Sequence, residues 1–229
     1  LSRPDNHLIA ALPDTDRDRL LACSDVVPLA LSQVLCERGV PTRHVYFPTE
    51  GFISLVTRID GDPGLEVGMV GREGMLGIQL ALGVETTPLS ALVQGPGTAW
   101  RIEAPAFVRE ARRSAVLRRI LNRYLYVLMA QLAMSSACQR FHRIGPRLAR
   151  WLLMSQDRAG TDRFHVTQEF LACMLGVRRV GVTAAATTLQ RHGLIHYRRG
   201  ELTVLDRAGL EAASCGCYAA GEHVYAHVL

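Results

Sequence analysis

Arginines are the side chains best placed to do chemistry in this chain. Arg178 and Arg179 stand at the head of RRVGVTAAATTLQR, and Arg198 and Arg199 form a second pair in HYRRGEL. A guanidinium grips guanine O6 and N7 in a bidentate pair and clamps phosphate equally well. At about 100° per residue, Val182, Ala185, Ala186 and Leu189 share one apolar face of a helix. Val180, Thr183, Ala184 and Thr187 turn away from that face, with Arg179 on its flank. Val180 and Ala184 suit thymine methyl groups, Arg179 suits a base edge, and Thr183 and Arg178 suit base or phosphate. Gly181 inside this helix costs about 1 kcal/mol relative to Ala. Either close approach to a phosphate or a tolerated weakness accounts for it.

These groups need a scaffold, and TQEFLACMLGVRRVGV supplies its pattern. Gln168, Ala172, Gly176 and Val182 are spaced for two short helices crossing through a tight turn. Ala172 is small enough for the second helix to pass close by. Gly176 can take a positive φ without a Cβ penalty, and Val182 points into the core. The pattern predicts a helix-turn-helix with its reading helix over 178–191, of the kind that enters the major groove of DNA. Thr167 caps the first helix, so the backbone N–H groups beside it and Gln168 face phosphate. LIHYRRGELTVL reads as a hairpin wing whose turn, Arg198-Arg199-Gly200-Glu201, aims both arginines at the phosphate backbone.

The charge distribution agrees with a polyanion partner. The net charge of +5 is uneven: residues 141–200 hold 10 arginines against 3 acidic residues, whereas residues 1–100 hold 7 against 12. All 26 basic residues are Arg, a preference read as genomic codon bias. The apolar runs fall short of the roughly 18–20 residues of a membrane span. The expectation is a cytoplasmic protein without a membrane partner, associated with the nucleoid when bound to DNA.

Cys23, Cys36, Cys138, Cys173, Cys215 and Cys217 include no C-x-x-C pair and no His spacing suited to zinc. Cys138 and Cys173 read as small core residues, and Cys215-Gly216-Cys217 as a reduced structural pair. No metal site is expected. An enzyme pairing Cys173 or Cys138 with His142 or His165 has no motif to bring those residues together, so the chain is not read as an enzyme.

Residues 5–36 carry apolar positions at helical spacing and predict short helices. From Val40 to Ile102, short β-rich runs alternate with turns such as Gly61-Asp62-Pro63-Gly64 and Gly95-Pro96-Gly97, the pattern of a β-barrel or jelly roll. From Pro105 the pattern is helical for almost forty residues, including a helix over 116–141 about 40 Å long. Its stripe of Leu117, Ile120, Leu121, Tyr124, Val127, Leu128, Gln131 and Met134 predicts a two-helix dimer seam, the competing reading being packing on its own β-domain. Gly145-Pro146 reads as a hinge, followed by a helix over 147–158 and a short one over 207–213. The last ten residues show no pattern. The fold class is α+β: an N-terminal double-stranded β-helix (jelly-roll) sensor domain over 1–112, a dimerisation helix over 113–143, and a winged helix-turn-helix domain over 144–229.

This order of parts resembles the Crp/Fnr superfamily of transcription regulators. TQEFLACMLGVRRVGVTAAATTLQRHGLIHYRRGELTVLDRAGLE carries most of the resemblance, supported by RLARWLLMSQDR, VYFPTEGFISLV and VGREGMLG. The resemblance implies a cyclic-nucleotide-binding-like sensor with an effector pocket at Gly71, Glu73, Gly74, Leu89 and Ser90. Leu89 stands where nucleotide-binding members carry the arginine that neutralises the cyclic phosphate, so a cyclic nucleotide is not expected. The tight N-terminal cysteine cluster of the iron–sulfur members is also missing, so no cofactor is expected. In the reading helix, Val180 and Ala184 replace a Glu and an Arg of the cyclic-AMP-receptor type, which implies a different operator.

The expected function is a homodimeric regulator that binds a palindromic double-stranded operator under control of a signal at the β-domain. RNA polymerase is a further partner if it activates, and a small-molecule effector fits the sensor. The alternative is an effector-sensing protein that acts mainly through protein partners with weak, non-specific DNA binding.

Overall fold

The β-branched and aromatic residues between Val40 and Ile102 become strands in the computed structural model, which describes residues 6–58, 60, 61 and 64–229. Asp62 and Pro63 of the expected turn lie outside the described residues. Strands β3 (His44–Pro48), β4 (Phe52–Thr57), β5 (Leu65–Val70), β6 (Ser90–Gly95) and β7 (Gly97–Glu103) occupy this stretch, with a 3₁₀ turn at Ile78–Leu82. Before it come helices α1 (His7–Ala10) and α2 (Asp14–Leu21), then strands β1 (Ser24–Leu29) and β2 (Val34–Cys36). The expectation of helices across 5–36 therefore holds only to Leu21. Beyond it, Val26, Val27 and Val34 favour extended backbone once β7 and β6 offer edges to pair with.

Among the described residues these strands form two antiparallel sheets, ordered β1-β7-β3 and β2-β6-β4-β5. The turns joining them touch backbone to backbone. A Cβ on Gly51, which has φ +73, would lie 2.2 Å from Gly95 O, and one on Gly97 would lie 2.3 Å from Glu50 O. Val45, Phe47, Ile53, Ile102 and Phe107 pack into the core of this half.

Helix α3 (Ala104–Arg113) is separate from α4 (Ala115–Phe141). Ser114 interrupts them in extended conformation, and its Oγ accepts from Leu117 N at 3.0 Å, capping α4. The winged half consists of α5 (Ile144–Ala159), β8 (Arg163–His165), α6 (Gln168–Leu175), α7 (Arg179–Arg191), β9 (Ile195–Arg198), β10 (Glu201–Val204) and α8 (Arg207–Ala213). Pro146 sits in the first turn of α5, where its missing N–H costs no bond. A last helix, α9 (Cys217–Val228), forms where the sequence shows no pattern; it lies along α4, which supplies the contacts its own composition does not announce.

The expected dimer stripe is revised by this packing. Leu117, Leu121, Tyr124 and Leu128 are buried in the β-sheet core of their own chain, and Ile120 packs against that core. Tyr124 Oη donates to Met75 O at 3.1 Å. Gln131 accepts from Met69 N at 3.0 Å and donates to Tyr225 Oη at 3.3 Å. Val127 is also buried, and Met134 is half-buried. The stripe is consumed within the chain because the sheets and α9 reach it first. The exposed face of α4 carries Tyr126 and Met129, each 60% exposed, with Ala133 between them and the helix end.

Phe52 and Met69 leave the first core and join Leu148, Leu152, Leu171, Val182, Leu202 and Leu210 in the second. The two halves are thus packed on one another.

Candidate functional site

Helices α6 and α7 meet at 108° across Gly176, which has φ +60. Thr167 Oγ1 accepts from Phe170 N at 3.1 Å and caps α6. Ala172 and Val182 are buried at the crossing. Arg178 is the N-cap residue of α7, and Arg179, Val180, Thr183 and Ala184 are exposed along it. Val180 is 72% exposed, a large apolar side chain held in water among polar neighbours. Thr183 Oγ1 lies 2.7 Å from Gln168 Oε1 and 3.1 Å from Arg179 O, so Gln168 and Thr183 tie the two helices together.

A Cβ on Gly181 would lie 2.6 Å from Ile144 Cδ1, the movable end of a side chain at the start of α5. In the wing, Arg199 (φ +53) and Gly200 (φ +85) form the two-residue turn between β9 and β10, and Arg198 pairs with Glu201 at its base. Both arginines are exposed. His165 Nδ1 lies 2.7 Å from Glu201 Oε1 and packs beneath Gly200.

The residues expected around an effector are not brought together. Val70 pairs with Ile53, and Ile53 with Val93, whereas Ser90 pairs with Val56. Gly71 and Ser90 therefore flank opposite ends of β4. Leu89 packs against the first core. Gly74 admits the ring of Tyr124, whose Oη would lie 2.5 Å from a Cβ there. Glu73 lines a cleft of about 660 Å³ bounded by α4 and α9, with Arg72, Arg119, Arg123, Arg158 and Tyr225. Sequence reasoning missed this cleft because α9 forms one wall.

One expectation is overturned. The absence of a metal site was argued from spacing, yet Cys138, His142, Cys215 and Cys217 converge in a cluster able to hold a metal ion. The ligand atoms all lie within 4.8 Å of one another. Cys138 Sγ is 3.5 Å from Cys215 Sγ, and Cys217 Sγ is 3.6 Å from His142 Nδ1. Cys138 lies in the last turn of α4 and His142 is its C-cap residue, but their partners lie beyond the whole winged half, so spacing gave no sign of the cluster. Cys138 and Cys215 share a hydrogen bond, which pushes the Cys138 thiol up and holds Cys215 below the ordinary thiol value against its burial.

Among the described residues no single helix is long and apolar enough to cross a membrane; only α6 and α7 taken together pass by composition.

Residues 146–213 match the Crp-like helix-turn-helix domain family. No curated protein matches the chain by sequence. Solved structures with a similar fold include FixK2 from Bradyrhizobium japonicum (12% identity, TM-score 0.70, covering 84% of this chain and 98% of that one). A CRP/FNR-family transcriptional regulator from Thermus thermophilus is 22% identical with TM-score 0.68, covering 83% and 98%. The c-di-GMP-responsive global regulator CLP from Xanthomonas campestris is 16% identical with TM-score 0.66, covering 84% and 99%.

Proposed function

Because the chain has Crp/Fnr-superfamily architecture, with a Crp-like helix-turn-helix domain at residues 146–213, we propose that it is a transcription regulator. In this reading it binds a palindromic operator as a homodimer. The observation that carries the proposal is the exposed α7 face of Arg179, Val180, Thr183 and Ala184, flanked by the wing arginines Arg198 and Arg199. An apolar Val180 left in water gains by meeting a thymine methyl, and Arg179 beside it suits guanine. Thr167, Gln168 and Arg178 then face phosphate at the start of α6 and α7. The interface is read by the same side chains twice, once per half-site.

The N-terminal half acts in this reading as a closed β-roll sensor over 1–112, linked through α4 to the DNA-binding domain over 144–229. Its effector is a small molecule seated against Glu73 in the α4–α9 cleft, away from Leu89 and Ser90. RNA polymerase is the further partner at activated promoters.

The test is selection of bound sequences from random DNA by the full chain, followed by mobility shifts on the selected site. A palindromic site should emerge, and Arg179→Ala should weaken specific binding by about 1–3 kcal/mol per half-site while relaxing preference at one base pair of each half-site. An Arg179→Ala protein that binds and discriminates like the parent removes base readout from this face.

A further inference from the structure

We propose that Cys138, His142, Cys215 and Cys217 form a tetrahedral zinc site that staples α9 to the end of α4. Three sulfurs and one imidazole nitrogen are the donor set that a structural zinc ion takes, and soft thiolates select against magnesium and calcium. A tetrahedral ion about 2.3 Å from sulfur and about 2.0 Å from nitrogen separates its ligand atoms by roughly 3.5–3.8 Å. The observed 3.5 Å between Cys138 and Cys215 and 3.6 Å between Cys217 and His142 already meet that spacing.

Local structure aims all four groups at one point. Cys138 lies in the last turn of α4 and His142 is its C-cap residue, whose N–H closes the helix on Cys138 O at 3.1 Å. Gly216 turns the chain between Cys215 and Cys217, and a Cβ there would meet nothing within 4 Å. Cys217 opens α9 immediately after that turn. Cysteines acting only as small core residues would account for the buried Cys138 and Cys215. They leave unexplained why the half-buried His142 and Cys217 turn their Nδ1 and Sγ toward the same place.

Binding displaces the thiol protons still held, and three thiolates with a neutral imidazole around Zn²⁺ leave one net negative charge. Arg147 and Arg150 lie within electrostatic reach of the thiols and offset it. Arg150 also carries a buried Nε without a hydrogen-bond partner. The site sits where α4 gives way to α5 at Arg143, and α9 walls the cleft beside Glu73. The ion therefore fixes both the exit toward the DNA-binding half and one wall of the cleft.

The test uses the full chain purified under reducing conditions. Elemental analysis should find about one zinc per chain, and Co²⁺ loaded into metal-stripped protein should give the visible absorption of tetrahedral thiolate ligation. Cys215→Ser and His142→Ala should lower zinc content below about one tenth of an equivalent after competition with a chromophoric chelator, while Cys23→Ser retains it. Chelation should raise hydrogen exchange across 217–228 and leave β9–β10 protected. The wild-type Co²⁺ spectrum decides the matter even if a variant fails to fold. The proposal is overturned if the stripped wild-type chain takes up neither metal, if Cys23→Ser loses zinc equally, or if peptide mapping finds a Cys138–Cys215 disulfide as the native state.

Discussion

Arg158 Nε donates to Glu73 Oε1 across 2.7 Å, joining α5 of the winged half to the turn after β5. The side chains are 5% and 15% exposed. Burial alone would lower the Arg158 pKa, but Glu73 and Tyr225 more than offset it and hold it above the usual value. Glu73 also accepts from Gly71 N at 3.1 Å, so its position is set from both sides. Removing one partner leaves the other charge little exposed at the wall of the cleft. Arg158→Met should therefore cost about 3–5 kcal/mol in urea denaturation. Glu73→Gln combined with Arg158→Met should cost less than the sum of the single changes. Strict additivity would mean that the pair does not act as a unit.

Glu66 predicts a dependence on pH. Its Oε1 accepts from Trp151 Nε1 at 2.9 Å and its other oxygen from Ser54 Oγ. Burial outweighs both bonds and lifts the carboxyl from 4.5 to about 7. The folded state therefore holds this proton more tightly than the unfolded chain. The stability this contributes is complete below the unfolded value and is lost as pH rises toward about 7. Urea midpoints recorded across that window should fall with pH in the parent, and Glu66→Gln should flatten this component. An unchanged slope would place the titration elsewhere.

The wing arginines should set salt dependence rather than sequence preference. Arg199 has a positive φ, so Arg199→Asn removes the charge and keeps a residue that tolerates the turn. The slope of log K against log salt should shrink by about 2 for a dimer that loses one contact per half-site, on the selected operator and on unrelated DNA alike. Affinity titrations at several salt concentrations measure it. A change confined to the operator would make Arg199 a base-reading residue.

Association should depend on the outer face of α4. Met129→Glu places a charge beside exposed Tyr126 and Ala133 without touching either core, and sedimentation should show a shift toward monomer with the fold intact. Leu121→Ala, by contrast, should cost about 2–5 kcal/mol of stability, because Leu121 is buried within its own chain. A dimer unaffected by Met129→Glu would move the seam off this face.

The winged half of the molecule was legible in the sequence because its determinants are local. Thr167 caps the helix that begins beside it, Gly176 takes the positive φ of its own turn, and Arg199-Gly200 makes the two-residue hairpin. Each is decided by neighbours a few positions away, as is the helix ending at Phe141. The tertiary structure decided which surfaces those elements keep. An apolar stripe states that it must be buried but not against what, and the stripe through Leu121 and Tyr124 went to the β-sheet core. Val26 and Val27 became a strand only because β7 offered an edge. The convergence of Cys138 and His142 with Cys215 and Cys217 depends on the whole winged half folding back so that α9 lies along α4. Spacing along a chain reports contacts within a helix turn or a hairpin; ligands gathered from its distant parts exist only once packing has closed the distance.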